Sequence, residues 1–246
     1  MPAFMPAYRL GFLLCDHALE HLREQFGDYP AIFATAFASV SPAIEWVVYD
    51  ATAGQLPASV HECDGFLISG SRHGAYDGLP WITALETCIR QLVDADRPVV
   101  GLCFGHQMLG QALGGEVRQA AKGWGIGLRE YDICAASPWM SPQMDRLVLP
   151  VCHQDQVLSL PPGARTLAGS AHCPNFMVQF GPRAVGIQGH PEFSPAFVGA
   201  LIEWRQDRLP AAVRATAQAS LTREHDSEIV KRWIATFLEL PQEACV

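Results

Sequence analysis

Short runs of consecutive apolar residues, each closed by a turn residue, recur through the first half of the chain: RLGFLLC (9–15), AIEWVVYD (43–50), GFLIS (65–69) and PVVGLC (98–103). Runs of this length without polar alternation predict strands buried on both faces. Between the last two, Trp81, Ile82, Leu85, Ile89, Leu92 and Val93 recur at helical spacing, which predicts an amphipathic helix. Strand and helix in alternation imply crossover connections and a parallel sheet. After Gly115 the pattern changes. EVRQA (116–120), GIGLREYDIC (125–134), RLVLPVCH (146–153), TLAGSA (166–171), FMVQF (176–180) and AVGIQGH (184–190) crowd together and predict further strands, several of them antiparallel. The C-terminal part turns helical again, and Val230, Trp233, Ile234, Phe237 and Leu238 form an apolar stripe that predicts a helix covering the sheet. One α/β domain with an open, mainly parallel sheet, flanking helices and additional antiparallel strands in its second half accounts for this pattern.

Composition narrows the picture. The chain has 246 residues, 49% hydrophobic and 17% charged, as expected of a folded protein. Its formal net charge is −8 with no run of Lys and Arg, which argues against nucleic acid or an anionic membrane as a partner. The apolar stretches are too short to span a bilayer. YRLGFLLCDH (8–17) has a single arginine and an acidic residue directly behind its apolar run, so it reads as the first strand of a cytoplasmic protein and not as a signal peptide. Eight cysteines, mostly in apolar segments, predict small buried thiols without disulfides. Cys103/His106, Cys152/His153 and His172/Cys173 have ligand-like spacing, but no pair of CxxC elements supports a zinc site. No metal or other cofactor is expected.

One cysteine stands in a different frame. Gly101-Leu102-Cys103-Phe104-Gly105 follows directly on a strand and precedes the helical pattern of Met108, Leu109, Ala112 and Leu113, which stops at Gly114-Gly115. A G-x-C-x-G sequence at a strand-to-helix junction is the cysteine form of the nucleophile elbow. Its glycines remove side chains that would collide with neighbouring backbone, and the positive N-terminal end of the helix favours an anion at the sulfur. A cysteine that only fills a core explains the apolar strand but neither glycine. A nucleophile of this kind needs a base, and the base an orienting group. In GIQGHPEF (186–193), His190 and Glu192 follow an apolar strand at its carboxyl end, where catalytic groups of open parallel sheets gather.

GLCFGHQ followed by GHPE, with His190 87 residues after Cys103, resembles the class I glutamine amidotransferases and their Cys-His-Glu triad. The order of CDH, GDYP, SGSRHGAYDG and HQD is similar to the stand-alone group related to the amidotransferase domain of GMP synthase. The resemblance spans nearly the whole chain and implies a flavodoxin-like fold in a single domain, residues 1–246. It implies that Cys103 attacks the glutamine side-chain amide, that His190 shuttles the proton to the departing ammonia, and that Glu192 holds the imidazole. A γ-glutamyl thioester is then hydrolysed to glutamate. The backbone N–H of Phe104 would be one oxyanion donor. The second falls on Ser71, where relatives carry S-G-G-P and this chain has Ser71 and Arg72. Gly70, Gln107, His153 and Asp155 are the expected substrate-binding residues, with Asp155 suited to an α-ammonium group.

Amidotransferases feed ammonia to a synthetase, and the motifs leave no room here for one, so the acceptor site falls on a partner protein or on loops. The loops CDHALEHLREQFGDYP (15–30) and GSRHGAYDGLPW (70–81) should border the mouth of the site. Three activities fit: a glutaminase-type amidotransferase with an unknown acceptor, a γ-glutamyl hydrolase or peptidase using the same thioester on a larger amide, and a non-catalytic regulatory binding protein. The intact triad argues against the last.

Overall fold

A computed structural model describes residues 7–241. Its elements open with β1 (Tyr8–Leu14), the short helices α1 (Glu20–Phe26) and α2 (Tyr29–Phe37), β2 (Ile44–Asp50), β3 (Gly65–Ile68), α3 (Pro80–Asp94), β4 (Val99–Leu102) and α4 (Phe104–Ala112). Then follow β5 (Glu116–Gln119), β6 (Gly125–Ile133), β7 (Arg146–His153), β8 (Asp155–Ser159), β9 (Ala164–Gly169), β10 (Met177–Phe180) and β11 (Ala184–Ile187), and finally α5 (Pro195–Trp204), α6 (Ala211–Ser220) and α7 (Ser227–Phe237). Nine strands form one mixed sheet in the order β2-β1-β3-β4-β11-β10-β9-β6-β7, and β5 pairs with β8 in a separate ribbon. From β2 to β11 every neighbouring pair is parallel; from β11 to β7 every pair is antiparallel. No helix among the described residues is long and apolar enough to cross a membrane.

Side-chain alternation places a core on each face of the sheet. Leu10, Phe12, Leu14, Leu67, Val100, Leu102, Val185 and Ile187 pack on one face with Trp233 and Ile234 of α7. Leu13, Phe66, Ile68, Val99 and Ala184 pack on the other with Leu85, Ile89 and Leu92 of α3 and Leu109 of α4. Pro80 opens α3 in its first turn, where a missing N–H costs no helical bond. Strand β2 departs from the sequence expectation of burial on both faces. It lies at the sheet edge with β1 as its one partner, no residue of it is fully buried, and Val48 is exposed.

Parallel pairing brings the carboxyl ends of β1, β3, β4 and β11 to one edge of the sheet. The segments that leave those ends carry Asp16, Ser71, Cys103 and His190. The loop after β1 is tied down by His17, whose Nδ1 lies 2.6 Å from Asp28 and Nε2 3.1 Å from Asp50. Asp28 also accepts from the N–H groups of Ala18 and Tyr29, which caps α2 and fixes Tyr29 beside the site.

Candidate active site

Cys103 adopts φ +51° and ψ −101° between β4 and α4. A β-carbon at positive φ is strained, and such strain persists only where the surroundings enforce it. The flanking glycines show what enforces it here. A Cβ on Gly101 would stand 2.3 Å from the Gly105 carbonyl oxygen, and one on Gly105 would stand 2.5 Å from the Ile68 carbonyl oxygen. Helix α4 therefore lies against β4 at Gly101 and against β3 at Gly105 more closely than a side chain at either position allows, and the turn pushes the sulfur out at the sheet's edge.

Gln188, fully buried just past β11, donates from Nε2 to Cys103 Sγ at 3.5 Å. Its own Oε1 accepts from Gln107 Nε2 at 3.2 Å, and that nitrogen also donates to the Asp155 carbonyl at 3.0 Å. Gln107 is thus buried and engaged through its nitrogen while it lines the cleft. His190 Nδ1 lies 2.7 Å from Glu192 Oε1, with both side chains at most 5% exposed. Phe193 stacks on the imidazole with centroids 4.1 Å apart and planes 8° from parallel. Burial opposes charge on His190, but Glu192 and Cys103 outweigh it and hold its pKa well above the ordinary histidine value. Cys103 and His190 line one hollow, and Gly70 is wedged between them: a Cβ there would lie 3.1 Å from His190 Cε1 and 3.8 Å from the Cys103 β-carbon.

Ser71 follows β3 and lines the cleft beside Cys103. The positive-φ residues other than glycine among the described residues are Asp96, Cys103 and Glu239, so a serine sits at position 71 without left-handed backbone. Neither its N–H nor that of Phe104 donates to a group among the described residues. The neighbouring Arg72 is what holds this loop. Its backbone N–H and Nε donate to Asp16 Oδ2 at 2.9 and 2.8 Å, and Nη2 donates to Oδ1 at 2.8 Å. Ser69 Oγ adds a bond from the Cys15 N–H at 2.9 Å. Arg72 thus anchors the loop by a bidentate ion pair with Asp16.

His153 ends β7 and Asp155 begins β8, with Gln154 turning between them. Burial pushes His153 down to about 3, so its ring is neutral at pH 7. Asp155 is half-buried; burial raises its pKa, the Tyr76 hydroxyl opposes the rise, and Asp77 adds to it. Together with Ser71, Arg72, Cys103, Gln107 and Trp124 these residues enclose a cleft of about 470 Å³, its open mouth included. The sequence-derived residues therefore converge on one place. Gln188, Phe193, Asp16 and Arg205 belong to it without having been singled out. Two of these carried a signal: Gln188 stands two residues before His190 on the segment that leaves β11, and Phe193 follows Glu192 directly. Seven of the cysteines lie among the described residues and are free; Cys245 lies outside them.

The model of the class-I glutamine amidotransferase family matches residues 31–202. The chain belongs to that family. It is 31% identical over 204 residues to gamma-glutamyl peptidase 3 of Arabidopsis thaliana, covering 80% of each chain. It is 35% identical over 111 residues to a subunit of the glutamine-hydrolyzing GMP synthase of Methanoculleus marisnigri, covering 45% of this chain and 60% of that one. Among solved structures, a glutamine amidotransferase from Thermotoga maritima superposes with a TM-score of 0.74 at 21% identity, covering 96% of this chain and all of the other. That likeness carries the fold.

Proposed function

We propose that the protein hydrolyses γ-glutamyl amide bonds through a thioester on Cys103, with a γ-glutamyl amino acid or peptide as substrate. The observation that carries the reading is the strained elbow cysteine beside the buried His190–Glu192 pair. In the first half-reaction His190 takes the Cys103 thiol proton, and Sγ attacks the γ-carbonyl carbon. The carbonyl oxygen becomes an oxyanion held by the free N–H groups of Phe104 and Ser71. Collapse breaks the C–N bond, and the proton on His190 passes to the departing nitrogen. In the second half-reaction His190 removes a proton from water, which attacks the thioester carbon, and glutamate leaves as Cys103 recovers its proton. Glu192 keeps Nδ1 engaged so that Nε2 faces the reaction. Gln107, His153 and Asp155 bind the glutamyl end, with Asp155 on its ammonium group.

The coverage of two alignments supports a peptide over glutamine. The chain aligns with gamma-glutamyl peptidases over four-fifths of its length, whereas the alignment with the GMP synthase chain covers less than half. That second alignment supports the other reading, a glutaminase that passes ammonia to a partner synthetase. Glutamate release from γ-glutamylalanine and from glutamine, by the purified protein and its Cys103→Ala variant, tests the proposal. Cys103-dependent release faster from the dipeptide is the expected result. Release from glutamine alone favours the amidotransferase, and release that survives in the variant overturns both.

A further inference from the structure

Two hollows meet at Cys103. One is lined by Gln107, His153 and Asp155; the other, of about 330 Å³ with its mouth, is lined by Tyr29, Gly70, His190, Phe193 and Leu201. Arg205, the residue that closes the C-terminal end of α5, lines both. Its state differs from that of its neighbour Arg72. Arg72 is engaged by Asp16 through three hydrogen bonds, whereas the Nε and Nη1 of Arg205 are buried with no hydrogen-bond partner among the described residues. The guanidinium is held over the ring of Trp204 at 4.7 Å and that of Trp124 at 5.5 Å. Those rings fix its position but offer no acceptor in the plane of its N–H groups. Buried donors left without an acceptor are costly, and a fixed planar fork matches a carboxylate.

The direction of the reaction says which carboxylate. The proton on His190 must reach the departing nitrogen, so the leaving amine occupies the hollow that His190 lines, with Arg205 at its wall. Ammonia leaves that hollow unfilled. The α-carbon and carboxylate of an amino acid fill it and supply the missing acceptor.

We propose that Arg205 receives the carboxylate of the leaving amino acid, so that the enzyme selects γ-glutamyl amides whose amine carries a carboxylate over glutamine and over neutral γ-glutamyl amides. This rests on the γ-glutamyl hydrolase reading above and names its substrate class. The chemistry is unchanged: the same C–N bond breaks, and the free amino acid departs with the proton from His190.

The test is kcat/KM for γ-glutamylglycine and for γ-glutamylethylamide, which share the scissile bond and differ in the carboxylate. The wild type is expected to prefer γ-glutamylglycine about 30-fold, the scale of one charge-assisted pair in a partly buried site. In Arg205→Met, which keeps an apolar stem against the tryptophans, the ratio is expected to fall to about 1–3, and in Arg205→Lys to lie between. The ratio cancels any general loss of active protein, and the wild-type comparison stands even if a variant does not fold. Equal kcat/KM for the two substrates in the wild type overturns the assignment while leaving the hydrolase reading intact. So does a ratio unchanged in Arg205→Met, whether or not kcat/KM falls for both substrates together. Absence of Cys103-dependent cleavage of either substrate overturns the hydrolase reading, and this inference with it.

Discussion

Asp16 touches no expected substrate atom, yet the loop that carries Ser71 depends on it. Replacing Asp16 by Asn keeps the size and removes the charge. In the wild type Oδ2 accepts from the Arg72 N–H and Nε, and Oδ1 accepts from Nη2 and from the His17 N–H. An asparagine presents one acceptor where the fork requires two, and its NH2 group faces an Arg72 donor. The Asp16 side chain is 7% exposed and that of Arg72 48%, so solvent screens one end and the stability cost is about 1 kcal/mol. In a chain of this size that lowers Tm by about 2–4 °C. The effect on rate is larger in proportion. Losing an oxyanion donor outright costs on the order of 10²–10³ in kcat; letting its loop drift costs part of that, about 10-fold. Steady-state hydrolysis of γ-glutamylalanine, with Tm measured on the same preparations, should show kcat down about 10-fold and KM within about 3-fold. A kcat at the wild-type level, or a rise in KM alone, would refute the idea that Asp16 positions the Ser71 N–H.

Three further outcomes are expected. Gly101→Ala places a β-carbon 2.3 Å from the Gly105 carbonyl oxygen, a backbone clash that costs about 3 kcal/mol or more and lowers Tm by about 6–12 °C; a calorimetric Tm within about 2 °C of wild type, roughly half a kcal/mol, would contradict the packing described. Glu192→Gln should lower kcat by on the order of 10²-fold or more with little change in KM. Because Glu192 helps hold the His190 pKa up, its removal should also move the limb of the pH–rate profile that His190 sets to lower pH, and an unmoved limb would count against the pairing. Iodoacetamide at neutral pH should label Cys103 first. Burial holds Cys88 at about 11 and Cys173 at about 12, and it also raises Cys15, Cys63 and Cys152. Peptide mapping that finds Cys63 or the exposed Cys134 modified well before Cys103 would count against an activated thiol.

The parallel half of the sheet was readable in β1, β3 and β4 because burial on both faces leaves uninterrupted apolar runs, whereas β11, grouped by the sequence with the later strands, joins that half by pairing with β4. The edge strand β2 also reads as a largely apolar run, but it carries Glu45 and Asp50 where β3, β4 and β11 have no charge, and its place at the sheet edge explains its exposure. The elbow was readable for a related reason. Gly101 is imposed by the Gly105 carbonyl four residues on, a cause written close to the cysteine itself, whereas Gly105 is imposed by the Ile68 carbonyl at the end of β3, which only the fold brings near. Asp16 and Arg205 are different. Each matters through a partner, or the lack of one, that the fold brings from elsewhere, and neither periodicity nor spacing marks a charged residue as paired or orphaned. Arg72 stood out as a departure from the S-G-G-P pattern, but its role became visible only with Asp16 beside it.

The central claim, that Cys103 carries the γ-glutamyl group, is tested most directly by acid-quenching the enzyme during turnover of γ-glutamylalanine and mapping the peptides by mass. The account predicts one γ-glutamyl adduct, on the peptide that contains Cys103, lost on hydroxylamine treatment and absent from Cys103→Ala. Turnover at the wild-type rate by Cys103→Ala, or an adduct on another residue, would contradict it.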